Sequence, residues 1–218
     1  MIELTIAKEY IDIEGEQLIL TNQRAIYWKR EGALILSDVH IGKTAHFRKH
    51  GIPMPDAILQ KDLERLKSLI MHFKVKQLVV VGDLFHAEVN IDMTTFRLWL
   101  EQFENLKFIL IKGNHDRLSK KIMIDFNIEI IHELKILPFT FVHEHTNSHN
   151  NVITISGHTH PGILIKGKGK QRLKLPCYQI TAHLIILPAF SLFTGLNTQN
   201  QPKDCCSYAF TDTSIFKI

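Results

Sequence analysis

Cysteine is scarce in this sequence of 218 residues, and no segment is apolar for long. The three cysteines, Cys177, Cys205 and Cys206, form no C-x-x-C pair, which argues against a disulfide framework and against a thiolate metal site. The apolar runs fall short of the ~18 residues that a membrane helix needs, and the amino terminus lacks the pattern of a signal peptide. We therefore expect a soluble protein of the reducing cytoplasm with no membrane partner.

Internal repeats, low-complexity tracts and Pro/Ser-rich linkers are also missing, so we expect one domain over residues 1–218. Charge of either sign is modest. The formal net charge of +4 permits an anionic partner without demanding one. Histidine is the residue in excess: the chain has 13, and the commonest special roles of histidine are metal ligation and proton transfer.

Five short apolar runs each end in polar residues, and this recurrence organises the chain. The runs with their endings read ALILSDVH, QLVVVGDLFH, FILIKGNHD, FTFVHEH and VITISGHTH. Their length and composition predict buried β-strands. Apolar residues at helical spacing predict amphipathic helices over 58–73 and 93–103, and a further short helix near 119–126. The alternation predicts an α/β fold, in which ligands bind at the carboxyl ends of the strands.

The polar residues after these strands have metal-binding chemistry. Asp38 and His40 stand two residues apart, so in an extended strand end both side chains point the same way. Asp83, after Gly82, adds a carboxylate that can bridge two ions. The other candidates follow three further strands: Asn114, His115 and Asp116; His143; and His158 and His160. Each motif is weak alone, since a strand-end cap also explains Asp38, but together they are specific.

In their order, the motifs D-x-H, G-D, G-N-H-D, H and G-H-x-H resemble those of the calcineurin-like metallophosphoesterases. The resemblance spans Asp38 to His160 and implies a four-layer α/β/β/α sandwich of two mixed sheets. It also implies two metal sites that share Asp83 as a bridge. One metal would be held by Asp38, His40, Asp83 and His160, and the other by Asp83, Asn114, His143 and His158. Nitrogen and oxygen ligands without thiolate suit manganese, iron or zinc.

A site for two such cations predicts hydrolysis of a phosphate ester by a hydroxide that the metals generate. We expect His115, near the metals but not on them, to assist the leaving group, with Asp116 orienting its ring. His86 is a second candidate for the leaving-group side, because GDLFH is similar to the string of SbcD-type repair nucleases. A partly buried histidine at the start of a helix explains His86 equally well. The histidines predicted to be packing or surface residues are His72, His132 and His183.

Further strings resemble one subfamily, the ligase-associated DNA damage response endonucleases called PdeM. They are DVHIGKTAHFRKHGIPMP, GDLFH, VHEH, GHTHPG, LKLPCYQI and LPAFSLFTGL. One departure is His145, where the subfamily pattern leads us to expect proline. The resemblance implies a DNA phosphodiesterase that uses manganese and works beside DNA ligase, helicase and exonuclease partners in repair.

Basic residues near the motifs are what the sequence itself offers in favour of a polyanionic substrate. Lys43 and Arg48 follow the first motif, and we predict that they contact substrate phosphates. A second basic cluster lies in the string KGKGKQRLK and consists of Lys166, Lys168, Lys170, Arg172 and Lys174. A solvated hairpin tip explains this second cluster more simply than a binding surface does.

Two alternatives to a DNA endonuclease stay open. The same two-metal chemistry serves small nucleotides, phosphomonoesters and lipid-linked pyrophosphates, because all of these enzymes share the ligand set. A scaffold that kept the fold and lost catalysis is less favoured, since the chain keeps every ligand position together with His115 and Asp116.

Overall fold

The computed structural model describes residues 4–55, 57–86, 90–117, 126–145 and 152–218. Two β-sheets and three helices account for the regular structure of these residues. The predicted helix near 119–126 lies, apart from its last residue, outside the described residues. Within them, no helix has the length and apolar character required to cross a membrane.

The first sheet contains seven strands in sequence order. The first four strands pair antiparallel and the last four pair parallel, so the sheet is mixed. Its strands are β1 (Lys8–Ile13), β2 (Glu16–Thr21), β3 (Ile26–Trp28), β4 (Ala33–Leu36), β5 (Gln77–Val81), β6 (Lys107–Ile111) and β7 (Glu129–Ile131).

The second sheet is also mixed. Its strands are β8 (Leu134–Ile136), β9 (Phe139–Phe141), β10 (Ile153–Ser156), β11 (Gly162–Lys166), β12 (Arg172–Ile180), β13 (Leu184–Ile186), β14 (Cys206–Phe210) and β15 (Ile215–Lys217). They lie in the order β15-β14-β12-β13-β10-β9-β8, with β9, β10 and β13 parallel. Strand β11 pairs only with β12, outside that order.

The helices are α1 (Lys43–Lys49), α2 (Ala57–Phe73) and α3 (Ile91–Leu100). The helices predicted over 58–73 and 93–103 are confirmed as α2 and α3. Asn90 starts α3, because its side chain accepts a hydrogen bond from the backbone amide of Asp92. Helices α2 and α3 bury their apolar faces on the first sheet. The described helices and the two sheets thus form the α/β/β layers of the expected sandwich.

The parallel strands of the first sheet divide their side chains between two cores. Leu34, Leu78 and Val80 pack beneath the helices, while the alternate residues Ile35 and Val79 pack between the two sheets. This alternation follows from the period of two along a strand. Each fully buried aliphatic side chain contributes roughly 1.5–3 kcal/mol. Burial on both faces therefore fixes the register of the strands, and with it the position of the polar residues at their carboxyl ends.

Candidate metal centre

The five strand-end motifs meet where the two sheets come together. The carboxyl ends of β4, β5 and β6 lie side by side in the first sheet, and those of β9 and β10 lie side by side in the second. Asp38 joins the sheets at this point, because its carboxylate Oδ2 accepts a hydrogen bond from the backbone amide of His158 at 3.1 Å. Residues that are distant in sequence therefore converge on one site.

Six of the predicted ligands form two triads. The first triad comprises Asp38, His40 and His160, and the second comprises Asp83, His143 and His158. In the first triad, Asp38 Oδ1 lies 3.2 Å from His160 Nε2 and 4.0 Å from His40 Nε2. In the second, His143 Nε2 lies 3.4 Å from Asp83 Oδ2 and 3.3 Å from His158 Nδ1.

Unsatisfied atoms in the first triad fit a bound cation. Asp38 is fully buried and His40 is 5% exposed, yet Asp38 Oδ1 and both ring nitrogens of His40 have no hydrogen-bond partner. Leaving a buried polar group unpaired costs roughly 1–3 kcal/mol. Burial, opposed by Asp38, lowers the pKa of His40 to about 3, so its ring is neutral at neutral pH and keeps a lone pair for a metal.

In the second triad, His143 is oriented by the backbone. Its Nδ1–H donates to the carbonyl of Val81 at 3.1 Å, which turns Nε2 toward Asp83. Burial alone would lower the pKa of His143, but the hydrogen bond and charge of Asp83 outweigh it and raise the pKa to about 9. For Asp83, burial alone would raise the pKa, but the hydrogen bond and charge of His143 outweigh burial and lower the pKa to about 2. The metal-free pair therefore holds a proton that a cation displaces.

Backbone strain is concentrated on these ligands. Left-handed backbone costs a non-glycine residue roughly 1–2 kcal/mol, and such strain gathers at functional sites. Five of the predicted metal ligands adopt positive φ: Asp38 (56°), His40 (54°), Asp83 (52°), His158 (68°) and His160 (49°).

The glycines of the motifs are required by close contact. A Cβ at Gly82 would lie 1.9 Å from His143 Nδ1, and a Cβ at Gly113 would lie 2.2 Å from Asp83 Oδ1. Ordinary carbon contacts are about 3.5–4.0 Å, so any larger residue would displace a ligand. These glycines therefore let the backbone approach the ligand side chains.

Two more histidines face the first triad from one side. His86 and His115 stack with ring centroids 4.9 Å apart, and His40 meets each of them edge-on at 5.6 and 5.7 Å. Burial, followed by the charge of His115, lowers the pKa of His86 to about 4, so His86 is neutral at neutral pH. His115 is exposed, and its backbone amide donates to Asp83 Oδ1 at 2.9 Å. Both histidines lie beside the ligands, as the leaving-group prediction requires.

Asp116 does not orient the ring of His115, so that expectation is wrong. Asp116 Oδ2 accepts hydrogen bonds from the backbone amides of Asp83 and Gly113, and Oδ1 accepts one from Phe85. The side chain is fully buried, and burial raises its pKa to about 6 against these three hydrogen bonds. Asp116 thus ties together the loops after β5 and β6. Backbone amides in these tight loops need acceptors and bind the carboxylate in place of the His115 ring. The motif alone does not reveal this choice of partner.

The predicted ligand Asn114 lies in the loop after β6, and the predicted phosphate contacts Lys43 and Arg48 lie on α1, which follows the first motif. Asn114 is exposed in the loop that carries His115. The ammonium of Lys43 donates to the carbonyl of Phe193 at 3.1 Å, and burial lowers its pKa. Arg48 Nη2 lies 3.3 Å from Asp92 Oδ1. Ligation by Asn114 and phosphate binding by Lys43 and Arg48 stay predictions.

A segment that the sequence did not assign to the site, residues 187–197, supports two ligands from behind. Its backbone amides at Ser191 and Asn197 donate to the carbonyls of Asp38 and His160 at 3.2 and 2.9 Å. The segment is held by two arginines: the Arg24 guanidinium donates to the carbonyls of Ala189 and Ser191, and the buried Arg65 donates to that of Phe190. Its only sequence signal is the string LPAFSLFTGL.

A family model for calcineurin-like phosphoesterases matches residues 33–174. The chain belongs to that family, and its two triads are candidate sites for the divalent metals that the family uses. It is a metal-dependent phosphoesterase, a hydrolase of ester bonds.

Solved structures add two comparisons. The Pseudomonas putida nuclease MPE has 29% sequence identity to this chain and a TM-score of 0.83, over 97% of this chain and 100% of that one. The phosphoesterase Yfce from E. coli has 16% identity and a TM-score of 0.46, over 85% of this chain and 97% of that one. No curated protein sequence matches the chain.

Proposed function

We propose that the chain is a two-metal phosphodiesterase that cleaves DNA as a single domain over residues 1–218. The observation that carries the proposal is the convergence of two ligand triads, with unpaired buried ligand atoms, beside the stacked histidines His86 and His115. The resemblance to a nuclease over 97% of this chain favours a nucleic acid over other phosphate esters.

In this proposal Asp38, His40 and His160 hold one cation, and Asp83, His143 and His158 hold the other. Asn114 would join the second set, and Asp83 would be shared by both sets, as the family resemblance implies. Manganese is the metal we propose, with iron or zinc as alternatives that the same nitrogen and oxygen ligands accept. When bound, a pair of divalent cations activates water as the nucleophile and neutralises charge on the phosphoryl oxygens.

The two stacked histidines divide the work on the leaving side. His115 is exposed beside the ligands, and we propose that it protonates the leaving oxygen or stabilises its charge. His86 is neutral at neutral pH, so it does not donate a proton to the leaving group; it positions the His115 ring by stacking. Asp116 keeps the loops that carry Asp83 and His115 in register through their backbone amides.

The cellular role we propose is DNA damage response in the cytoplasm, beside DNA ligase, helicase and exonuclease partners. It rests on the subfamily strings, which include GDLFH and LPAFSLFTGL.

The test compares three substrates in the presence of Mn²⁺: bis-p-nitrophenyl phosphate, p-nitrophenyl phosphate and closed circular DNA. We expect diester turnover and nicked circles from the wild type and at least a 100-fold loss in Asp83→Asn, because the carboxylate of Asp83 is a ligand. His115→Ala is expected to keep its metals and to lose roughly 10²–10⁴-fold in turnover. His183→Ala is a matched control expected to retain activity, because His183 is exposed and precedes β13, at the strand end opposite to the one that carries the ligands.

Other results of this test would indicate a different function. Turnover of the monoester alone would indicate a phosphatase, and turnover of the small diester without nicking would indicate a nucleotide diester as substrate. Bound metal without turnover of any substrate would indicate a scaffold. Undiminished turnover in metal-loaded His115→Ala would reject the role given to His115.

A further inference from the structure

A basic ribbon projects from the metal-ligand loop. Strands β11 and β12 pair antiparallel from Gly162 opposite Pro176 to Lys166 opposite Arg172. Among the described strands, this part of β12 pairs only with β11. We call residues 162–176 the arm. Its first strand begins two residues after the ligand His160. The backbone amide of Gly162 donates to the carbonyl of Asn197, and the amide of Asn197 donates to the carbonyl of His160. The arm is therefore rooted directly at the metal centre.

The charge of the protein is concentrated on the arm. The five basic residues of the arm are Lys166, Lys168, Lys170, Arg172 and Lys174, and between Glu144 and Asp204 the chain contains no acidic residue. Without these five, the 26 basic residues fall to 21 against 22 acidic ones, a formal net charge of −1. The basic character of the whole chain is thus a property of this one ribbon.

The fold does not explain how these charges are arranged. Lys166 stands directly opposite Arg172, and Lys174 lies on the same face, two pairs further along the ribbon. Like charges directly opposite each other destabilise a ribbon, and the three side chains are exposed. The arm tip also contains an open concavity of about 360 Å³, lined by Lys166, Gly167, Gly169, Lys170, Gln171 and Arg172. An external anion would relieve this repulsion.

The length of the arm suits contact with a polymeric substrate and is greater than the length of a small phosphate ester. Five strand residues at about 3.4 Å each place Lys166 on the order of 17 Å from the metal-ligand loop. Phosphates follow one another at about 3.4 Å of rise along one strand of duplex DNA, so these cations lie roughly five nucleotides from the reacting bond.

We propose that the arm binds the phosphate backbone of DNA within roughly five nucleotides of the cleaved bond and holds the strand over the two metals. This inference rests on the proposed function, and it assigns the DNA contact to a surface that is separate from the ligands. Lysines on an edge strand also prevent association between sheets. That alternative predicts no contribution of the arm to DNA binding.

The experiment measures binding of the full-length, metal-loaded protein to a phosphorothioate-substituted duplex that resists hydrolysis, by fluorescence anisotropy across a salt series. The arm variant replaces Lys166, Arg172 and Lys174 with Gln. The matched control replaces three exposed lysines at the opposite end of the first sheet with Gln: Lys29, Lys74 and Lys76. A third variant, Lys166→Arg with Lys174→Arg, keeps the charge, and melting temperatures verify folding.

Loss of three phosphate contacts lowers the slope of log K against log salt by about 2.7, and we expect affinity at moderate salt to fall roughly 10- to 100-fold. The control and the Arg variant should keep the wild-type slope. Equal slopes for the arm variant and the control would overturn the proposal, even if the wild type nicks DNA. An arm-dependent slope in a protein that never nicks DNA would support the arm and overturn only the nuclease. Arm-dependent binding of phosphatidylserine vesicles with no binding of DNA would contradict the proposal.

Discussion

Replacing Gly82 with alanine should remove one metal and leave the other. Gly82 has φ +83°, and an added Cβ would lie 1.9 Å from Nδ1 and 2.3 Å from Cγ of His143. Because ordinary contacts need about 3.5 Å or more, the ring has to move by roughly 1.5 Å. Such a shift breaks its 3.1 Å hydrogen bond to Val81 and turns Nε2 away from Asp83.

The magnitude follows from two separate effects. The left-handed backbone costs alanine roughly 1–2 kcal/mol of stability wherever it occurs. The ligand lost is His143, whose ring is oriented by its hydrogen bond to the backbone of Val81. This loss should weaken metal binding at the second site by at least about 100-fold, or about 2.8 kcal/mol. Gly15→Ala is the matched control, because Gly15 has φ +78° and an added Cβ would meet nothing within 4 Å.

The assay is metal content after dialysis against low Mn²⁺, with turnover of bis-p-nitrophenyl phosphate and unfolding in urea measured in parallel. Both variants should lose similar stability from the backbone. Only Gly82→Ala should fall from two ions to one and lose turnover. Two retained ions and full turnover in Gly82→Ala would refute the assignment of His143 as a ligand.

Three further predictions concern residues around the ligands. Asp116→Ala leaves three buried backbone amides without an acceptor, so the free energy of unfolding of this variant should fall by roughly 3–6 kcal/mol. A fall below about 1 kcal/mol in urea denaturation would contradict this. Against the effect of burial, Asp83 raises the pKa of His143 to about 9, so metal binding near neutral pH should release a proton and affinity should rise with pH up to about 9. Calorimetry in buffers of different ionisation enthalpy counts that proton, and identical enthalpies would disprove its release. Arg65→Met removes the ion pair of the buried Asp62 and should cost about 3–5 kcal/mol, whereas Asp62→Leu combined with Arg65→Met should cost less. Equal losses in chemical denaturation would reject this pairing.

The positions of the ligands were predictable because their signals are local. A short apolar run followed by polar residues is read from neighbouring letters alone, and the strands predicted before Asp38, Asp83 and His143 are confirmed as β4, β5 and β9. Burial on both faces then aligns their carboxyl ends. The prediction of two mixed sheets, which came from the resemblance, is confirmed as well.

The supporting structure was not predictable, because it depends on contacts between distant residues. Arg24 holds a carbonyl 165 residues away at Ala189, and no pattern near either residue indicates this. Asp116 was assigned to the wrong partner, since a motif shows that a carboxylate follows His115 but not which backbone amides turn toward it. Positive φ at aspartate and histidine runs against local preference, and only the surrounding packing maintains it.

Anomalous diffraction at the manganese edge, from crystals grown with Mn²⁺, tests the central claim most directly. The account predicts two peaks in each chain, one against Asp38, His40 and His160 and the other against Asp83, His143 and His158. A single peak, or peaks outside these two triads, would contradict a two-metal centre at this site.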